Sequence, residues 1–367
     1  MIFDGHLDLA MNALQFERDL RRPLDETRQR EQGVDDGRGV ATVTLPGMRQ
    51  AGVRACVATL LARAKPWVDP ARPLKRSTDD WPDPSMAHAV AHGMLAYYRW
   101  LERQGEIAIV RDAADLDRLA PDGPIGVIVT LEGADPVLDP DDLHRWHDAG
   151  LRTLSLAHFG RSHHAHGTPS TDPANPHDVD GPLTDLGRAT LDAMHDLGMP
   201  LDLTHLSDRS FAEAIDRFPG RVYASHSACR AIVGNNDQVH PQRNLTDGQL
   251  RAILDRDGVV GLPLFNAFLQ PGYTEASGPG NCPVARFADH ARRVCDLVGD
   301  ADHVALGSDL DGGFGREHTP DTIDSIADLP RLADALQAAG FTADEAKSVL
   351  SGNWHRFWRA GLPAAAR

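Results

Sequence analysis

The sequence predicts an α/β protein built as a closed (β/α)8, TIM-like barrel. Three observations predict it. Short apolar runs recur along the 367 residues, segments of helical periodicity lie between them, and most runs end in a histidine or a carboxylate. Alternating strands and helices make βαβ units and a parallel sheet. About eight such units close into a barrel, whose strand ends converge on one rim. A doubly wound open sheet is the alternative. It usually carries a glycine-rich phosphate loop after an early strand, and the sequence has none. With no internal repeat and no linker, residues 1–367 read as one barrel domain with extra loops and a C-terminal helix.

The first strand, residues 2–8, ends in His6-Leu7-Asp8. Side chains two apart share a strand face, so His6 and Asp8 point the same way. An imidazole beside a carboxylate suits a borderline metal such as zinc. The second strand covers 53–61. The third, 125–132, ends in Glu132-Gly133, and the fourth, 151–158, in His158. The fifth and sixth, 199–205 and 221–226, end in His205 and His226. Residues 258–265 form the seventh, and 303–309 the eighth, which ends in Asp309 with Asp311 two residues on.

Helices fall between them. Leu186, Ala189, Thr190, Ala193, Met194 and Leu197 give 184–197 an apolar stripe, opened by Thr184-Asp185 and stopped by Gly198. Residues 207–218, 246–256 and 283–298 behave alike. Residues 342 to about 358 read as a helix packed outside the barrel. Two stretches exceed a minimal barrel. Residues 65–84 carry five prolines with Trp67 and Trp81, and 159–182 are rich in His, Asp, Pro and Gly. Both follow strands on the side where barrel active sites lie. His163, His164 and His166 in the second stretch read as solvated loop residues.

Composition bounds the partners. Hydrophobic content of 41% and charged content of 25% are those of a globular protein. A net charge of −16 argues against nucleic acid or an anionic membrane. Four cysteines without C-x-x-C spacing read as reduced thiols of a cytoplasmic protein. No apolar run approaches membrane-spanning length, and no basic stretch precedes an apolar signal core.

The strand ends therefore bring His6, Asp8, Glu132, His158, His205, His226 and Asp309 to one rim. A single strand-terminal histidine is more often structural. Repetition over most strands favours a metal centre. His6, Asp8, His205 and His226 supply four ligands, and Glu132 has two oxygens with which to bridge. Two ions sharing a hydroxide lower its pKa enough to make a nucleophile at neutral pH, whereas a single zinc would need only three of these groups.

The chain resembles the membrane dipeptidase (renal dipeptidase) family of binuclear zinc peptidases, within the amidohydrolase-type barrels. The resemblance is carried by Asp4-Gly-His-Leu-Asp8, Glu132-Gly133, Gly150-Leu-Arg-Thr-Leu-Ser-Leu-Ala-His158 and Leu183-Thr-Asp-Leu-Gly-Arg188. Leu197-Gly-Met-Pro-Leu-Asp-Leu-Thr-His205, Ser225-His-Ser227, Arg243-Asn244, Gly307-Ser-Asp-Leu-Asp-Gly312 and Gly352-Asn-Trp354 follow in the family's order. It implies a metal-dependent hydrolase with two zinc ions, one on His6 and Asp8, the other on His205 and His226, with Glu132 bridging. It implies that His158 polarises the scissile carbonyl or stabilises its oxyanion, that Arg243 binds the substrate's C-terminal carboxylate, and that Asp309 shuttles the proton from the attacking water to the leaving amine. Asp311, of the same strand parity, rivals Asp309. The expected activity is hydrolysis of dipeptides with a free C-terminal carboxylate by a metal-bridging hydroxide, in a protein that acts alone or as a homodimer. Leu7 stands where the family commonly has asparagine, and residues 65–84 have no clear counterpart. Hydrolysis of N-acyl amino acids or lactones is the alternative chemistry, and a non-catalytic metal-binding scaffold the alternative class.

Overall fold

The computed structural model describes residues 1–34, 38–67, 80–172, 175–234, 238–274, 276 and 279–364. Eight parallel strands form the barrel: β1 (Ile2–Leu7), β2 (Val53–Leu60), β3 (Ile125–Glu132), β4 (Leu151–Ser155), β5 (Leu201–Asp202), β6 (Val222–Tyr223), β7 (Val260–Leu262) and β8 (Val304–Leu306). β1 to β6 pair in sequence order, and β7 pairs with β8. The short strand Ile107–Ile109 flanks the first half of β3, and β4 its second half. The ring closes at two joints. Ala224, just after β6, bridges to Val260 of β7. The Asp309 amide, just after β8, donates to the His6 carbonyl of β1 at 3.2 Å.

All eight predicted strands are present, and most are shorter than predicted. The ladders stop where the chain curls to present its polar ends. His205 and Asp309 adopt left-handed backbone, with φ 69° and 58°, and no such residue continues a strand. In β1 the register against β2 shifts between Asp4 and Leu7. Phe3 and Gly5 face the aromatic layer below, yet His6 also reaches the interior. An extra residue in one strand of a pair lets neighbours of opposite parity face the same way.

The helices form where the caps predicted them. Thr184, Ser207 and Thr246 each accept a backbone N–H with the side chain, opening Asp185–Asp196, Asp208–Arg217 and Asp247–Leu254. Their buried residues join the layer between strands and helices. The C-terminal segment is helical, as Ala343–Lys347, a π-turn over Ser348–Gly352, and Asn353–Gly361. It lies beneath the barrel and closes its lower mouth. Trp354, wholly buried, packs with Phe3, Ala55, Val57, Ile128, Tyr223 and Ala305, and its Nε1 donates to the Leu306 carbonyl at 2.6 Å. A Cβ at Gly5 would meet the Trp354 ring at 2.6 Å, so β1 needs glycine there.

Much of the 65–84 stretch, residues 68–79, lies outside the described residues. Its two ends meet: Arg63–Ala64 pairs in parallel with Asp80–Trp81. Trp67 stacks on His177 at 4.9 Å, so the two long loops share one side of the rim. His164 corrects the expectation of a solvated loop residue. It is fully buried, with Nδ1 3.1 Å from Thr190 Oγ1 and Nε2 3.1 Å from the Val137 carbonyl. It is a pin between the loop and a helix, and the chain around it is too polar to have signalled burial. His163 and His166 bond to Asp135 and to the Val179 carbonyl, outside the rim cluster.

Candidate metal centre and cleft

Glu132, the last residue of β3, is the hub. Its Oε1 lies 3.1 Å from His205 Nε2, 3.4 Å from both His6 Nε2 and His226 Nε2, and 3.6 Å from His158 Nε2. The parity of β3 sends Ile128 into the aromatic layer and Glu132 into the space above it. His6 Nε2 is 3.8 Å from Asp8 Oδ1 and 3.9 Å from Asp309 Oδ1. His205 Nε2 and His226 Nε2 are 3.1 Å apart. Three sets of donors converge within 4.8 Å: His6, Asp8 and Glu132; Glu132, His205 and His226; and His6, His226 and Asp309. Glu132 belongs to the first two.

Neighbours fix these side chains. The Thr59 hydroxyl of β2 donates to Asp8 Oδ1. Ser225 Oγ holds His226 Nδ1 at 2.8 Å, which leaves Nε2 directed inward. Asp4 accepts from the Ser308 amide at 2.8 Å and the Ser308 hydroxyl at 2.5 Å, tying β1 to the end of β8. At Gly312 a Cβ would lie 1.9 Å from Asp309 Oδ1, so glycine there leaves Asp309 room.

The donors fit a divalent metal. His6 Nε2, Glu132 Oε2 and His205 Nδ1 are buried with no hydrogen-bond partner among the described residues. Such atoms are costly unless something else satisfies them. Two imidazole nitrogens at hydrogen-bond distance from one another and from a carboxylate oxygen are an N/O set of the kind zinc accepts. The electrostatics agree. Burial, then Arg243, holds the His205 imidazole down to about 3, so its lone pair stays free. Burial alone would raise the Glu132 carboxyl, but His6, His158 and His205 outweigh it and hold the group well below its ordinary range. Burial pushes the Asp309 carboxyl up to about 7, against the attraction of His6 and Arg243.

The cluster floors a cleft of about 300 Å³. Asp8, Glu132, His158, His205, His226, Arg243 and Asp309 line it, with an aromatic wall of Phe265, Phe268 and Phe314. Arg243 follows β6 in the 3-10 turn Pro241–Arg243. It is 1% exposed, its guanidinium lies 4.2 Å over the Phe268 ring, and none of its three nitrogens has a hydrogen-bond partner among the described residues. Burial lowers its pKa to about 10. Asp311 lies elsewhere. Its oxygens accept from the Thr42 amide and hydroxyl, each at 2.8 Å, and from the Val43 amide at 2.9 Å. Asp8, Glu132, His158, His205, His226, Arg243 and Asp309 thus line the cleft, His6 joins them through its contact with Glu132, and the rival Asp311 does not. Sequence reasoning missed Thr59 and gave no separate role to Asp4, Ser225 and Gly312, although all three lie in the motifs. Thr59, Asp4 and Ser225 act through contacts with residues distant in sequence or on a neighbouring ring, which spacing does not show.

A (β/α)8 barrel with a buried N/O donor cluster on its C-terminal rim has the architecture and the donor set of a metal-dependent hydrolase. The chain belongs to the membrane dipeptidase family, Peptidase family M19, whose profile matches residues 1–366. It is a peptide hydrolase of the metallo-dipeptidase class. Among solved structures it is similar to a dipeptidase described as an M19 metallopeptidase, with TM-score 0.77 and 27% identity over 99% of both chains. It is also similar to a metallopeptidase from Rhodobacter sphaeroides liganded with a phosphinate mimic of the dipeptide L-Ala-D-Ala. That match has TM-score 0.74 and 26% identity, over 98% of this chain and 99% of that one. An uncharacterised protein of the pqqA 5' region of Klebsiella pneumoniae is 31% identical over 255 residues, 69% of this chain and 88% of that protein.

Proposed function

We propose that the protein hydrolyses dipeptides bearing a free C-terminal carboxylate, with two zinc ions held by His6, Asp8, Glu132, His205 and His226. Glu132 is shared between the two ions. The observation that carries the substrate reading is Arg243: a buried guanidinium with every donor unspent among the described residues, lining the same cleft as the donor cluster. Such a group asks for an anion, and its fork matches a carboxylate with two parallel bonds. A carboxylate fixed there sets the scissile amide over the cluster one residue away. The dipeptide mimic bound by the Rhodobacter sphaeroides relative supports the same substrate length.

Zinc at this site supplies Lewis acidity, which activates water and polarises a carbonyl. The chain's own residues do the rest. Asp309 accepts the proton of the attacking water and delivers it to the leaving amine, a task suited to a carboxyl poised near neutrality. His158 stabilises the carbonyl oxygen as charge develops on it. We place the enzyme in the cytoplasm, because its four cysteines are buried and unpaired. No helix among the described residues is long and apolar enough to cross a membrane. We read residues 1–367 as one barrel domain acting on a small molecule, without nucleic acid or membrane partners, alone or as a homodimer.

Zinc-loaded protein assayed on a dipeptide panel tests this reading. The free acids are cleaved and their C-terminal amides are cleaved poorly. Equal rates on acid and amide, or turnover only of N-acyl amino acids or lactones, would overturn it.

A further inference from the structure

We propose that Arg63 is a positioning residue that fixes His158 as a neutral Nε2–H donor facing the cleft, and so keeps it out of the metal ligand set. The inference rests on the dipeptidase reading for its kinetic consequence only.

Arg63 follows β2, and the backbone just after it is held twice. Ala64 donates its amide to Asp135 Oδ2 at 2.8 Å, and Lys65 donates its amide to the Trp81 carbonyl at 2.7 Å. The side chain is held as well. Nε donates to Asp80 Oδ1 at 2.8 Å, and Nη1 lies 2.8 Å from His158 Nδ1. A guanidinium has only donors. His158 Nδ1 must therefore accept, and a ring that accepts at Nδ1 carries its proton on Nε2. An imidazolium would set N–H against N–H at that distance. The Nε2–H then points toward Glu132 Oε1, 3.6 Å away, and into the cleft.

This sorts four histidines that Glu132 alone does not separate. Their Nε2 atoms lie between 3.1 and 3.6 Å from the same oxygen. At His226 the Nδ1 partner is a hydroxyl, which can accept a hydrogen bond from an Nδ1–H and leave Nε2 a lone pair. At His205 the Nδ1 has no partner among the described residues, so no neighbour there fixes the tautomer and an ion can take Nε2 with the proton on Nδ1. At His6 the Nδ1 neighbour is the same Ser225 hydroxyl, at 3.4 Å, so of the four it is His158 whose partner among the described residues cannot accept. A metal needs a lone pair and a developing oxyanion needs a proton. Arg63 gives His158 the second role.

The test is ¹⁵N-histidine NMR of the zinc-loaded full-length protein, with the His158 signal assigned by its loss in His158→Gln. The expected wild-type pattern is protonated Nε2 and unprotonated Nδ1. Arg63→Met should mix the tautomers, and kcat on a cleaved dipeptide should fall by about ten- to a hundredfold, part of the worth of an oxyanion donor. KM should stay within about threefold, since donors that act on the transition state spare ground-state binding. Arg63→Lys, also donor-only, should keep the Nε2–H pattern. Protonated Nδ1 in the wild type would overturn the proposal without any variant. So would an unchanged pattern and kcat in Arg63→Met. A protein with the expected tautomers in all three forms that cleaves no dipeptide would support the positioning role and overturn the substrate reading instead.

Discussion

Asp309 and Asp311 stand two residues apart, both in left-handed backbone with φ 58° and 62°, yet only Asp309 lines the cleft. Asp311 spends its oxygens on the Thr42–Val43 segment and lies 3.3 Å from Arg18 Nη1. A carboxylate so engaged cannot also move a proton. Non-glycine residues with positive φ persist where surroundings enforce them, and here the two serve separate ends. Asp309→Asn should retain the metals and lose about two to four orders of magnitude in kcat. Asp311→Asn should instead cost about 1–3 kcal/mol of stability with turnover per folded molecule little changed. Kinetics beside urea unfolding of both variants would check this. Near-normal turnover in Asp309→Asn would remove it from the proton pathway.

Glu132 belongs to two donor sets at once. Its replacement by glutamine keeps shape but removes the charge that both sets share. After zinc reconstitution the wild type should hold two ions per chain, and Glu132→Gln fewer, with neither site spared. Elemental analysis finding one ion in the wild type would end the binuclear reading.

Arg243→Lys keeps the charge and loses the fork. An ammonium cannot make two parallel bonds to a carboxylate. We expect kcat/KM on dipeptides to fall by about tenfold to a hundredfold, the worth of one charge-assisted hydrogen bond, with zinc content unchanged. A variant as efficient as wild type on free acids would show that the carboxylate binds elsewhere.

His164 makes stability depend on pH. Burial lowers its pKa to about 4, whereas an unfolded chain titrates near 6.5. Between those values the unfolded state binds a proton that the folded state refuses. The contribution is full above about 6.5 and is lost as pH falls toward 4, by about 3 kcal/mol at most. Urea unfolding of metal-free protein at about pH 7.5 and about pH 5 should show a smaller acid loss in His164→Gln than in wild type. An equal loss in both would assign the acid sensitivity to other groups.

The barrel and its rim were legible because both are periodic. Strand parity carried Glu132 inward, and terminal histidines recur on one edge. The caps at Thr184, Ser207 and Thr246 act within a few residues and were legible for that reason. What the sequence hid is non-local. Nothing near Trp354 says that Gly5 waits for it, and nothing near Asp311 names Thr42. His164 lies in a polar stretch that gives no sign of burial. Arg63 left a faint signal: it shares strand parity with Thr59, which bonds Asp8, and with Leu61, which lines the cleft.

Trp354 under the barrel has a consequence for synthesis. His6 and Asp8 precede in synthesis the residues that enclose them: Ser308 and Asp309 tie down the strand that carries them, and Trp354 packs under Phe3 and Gly5 of that strand. Contacts of such sequence separation form slowly. Enclosure of these two donors therefore waits on contacts as distant in sequence as Asp4 with Ser308, 304 residues apart.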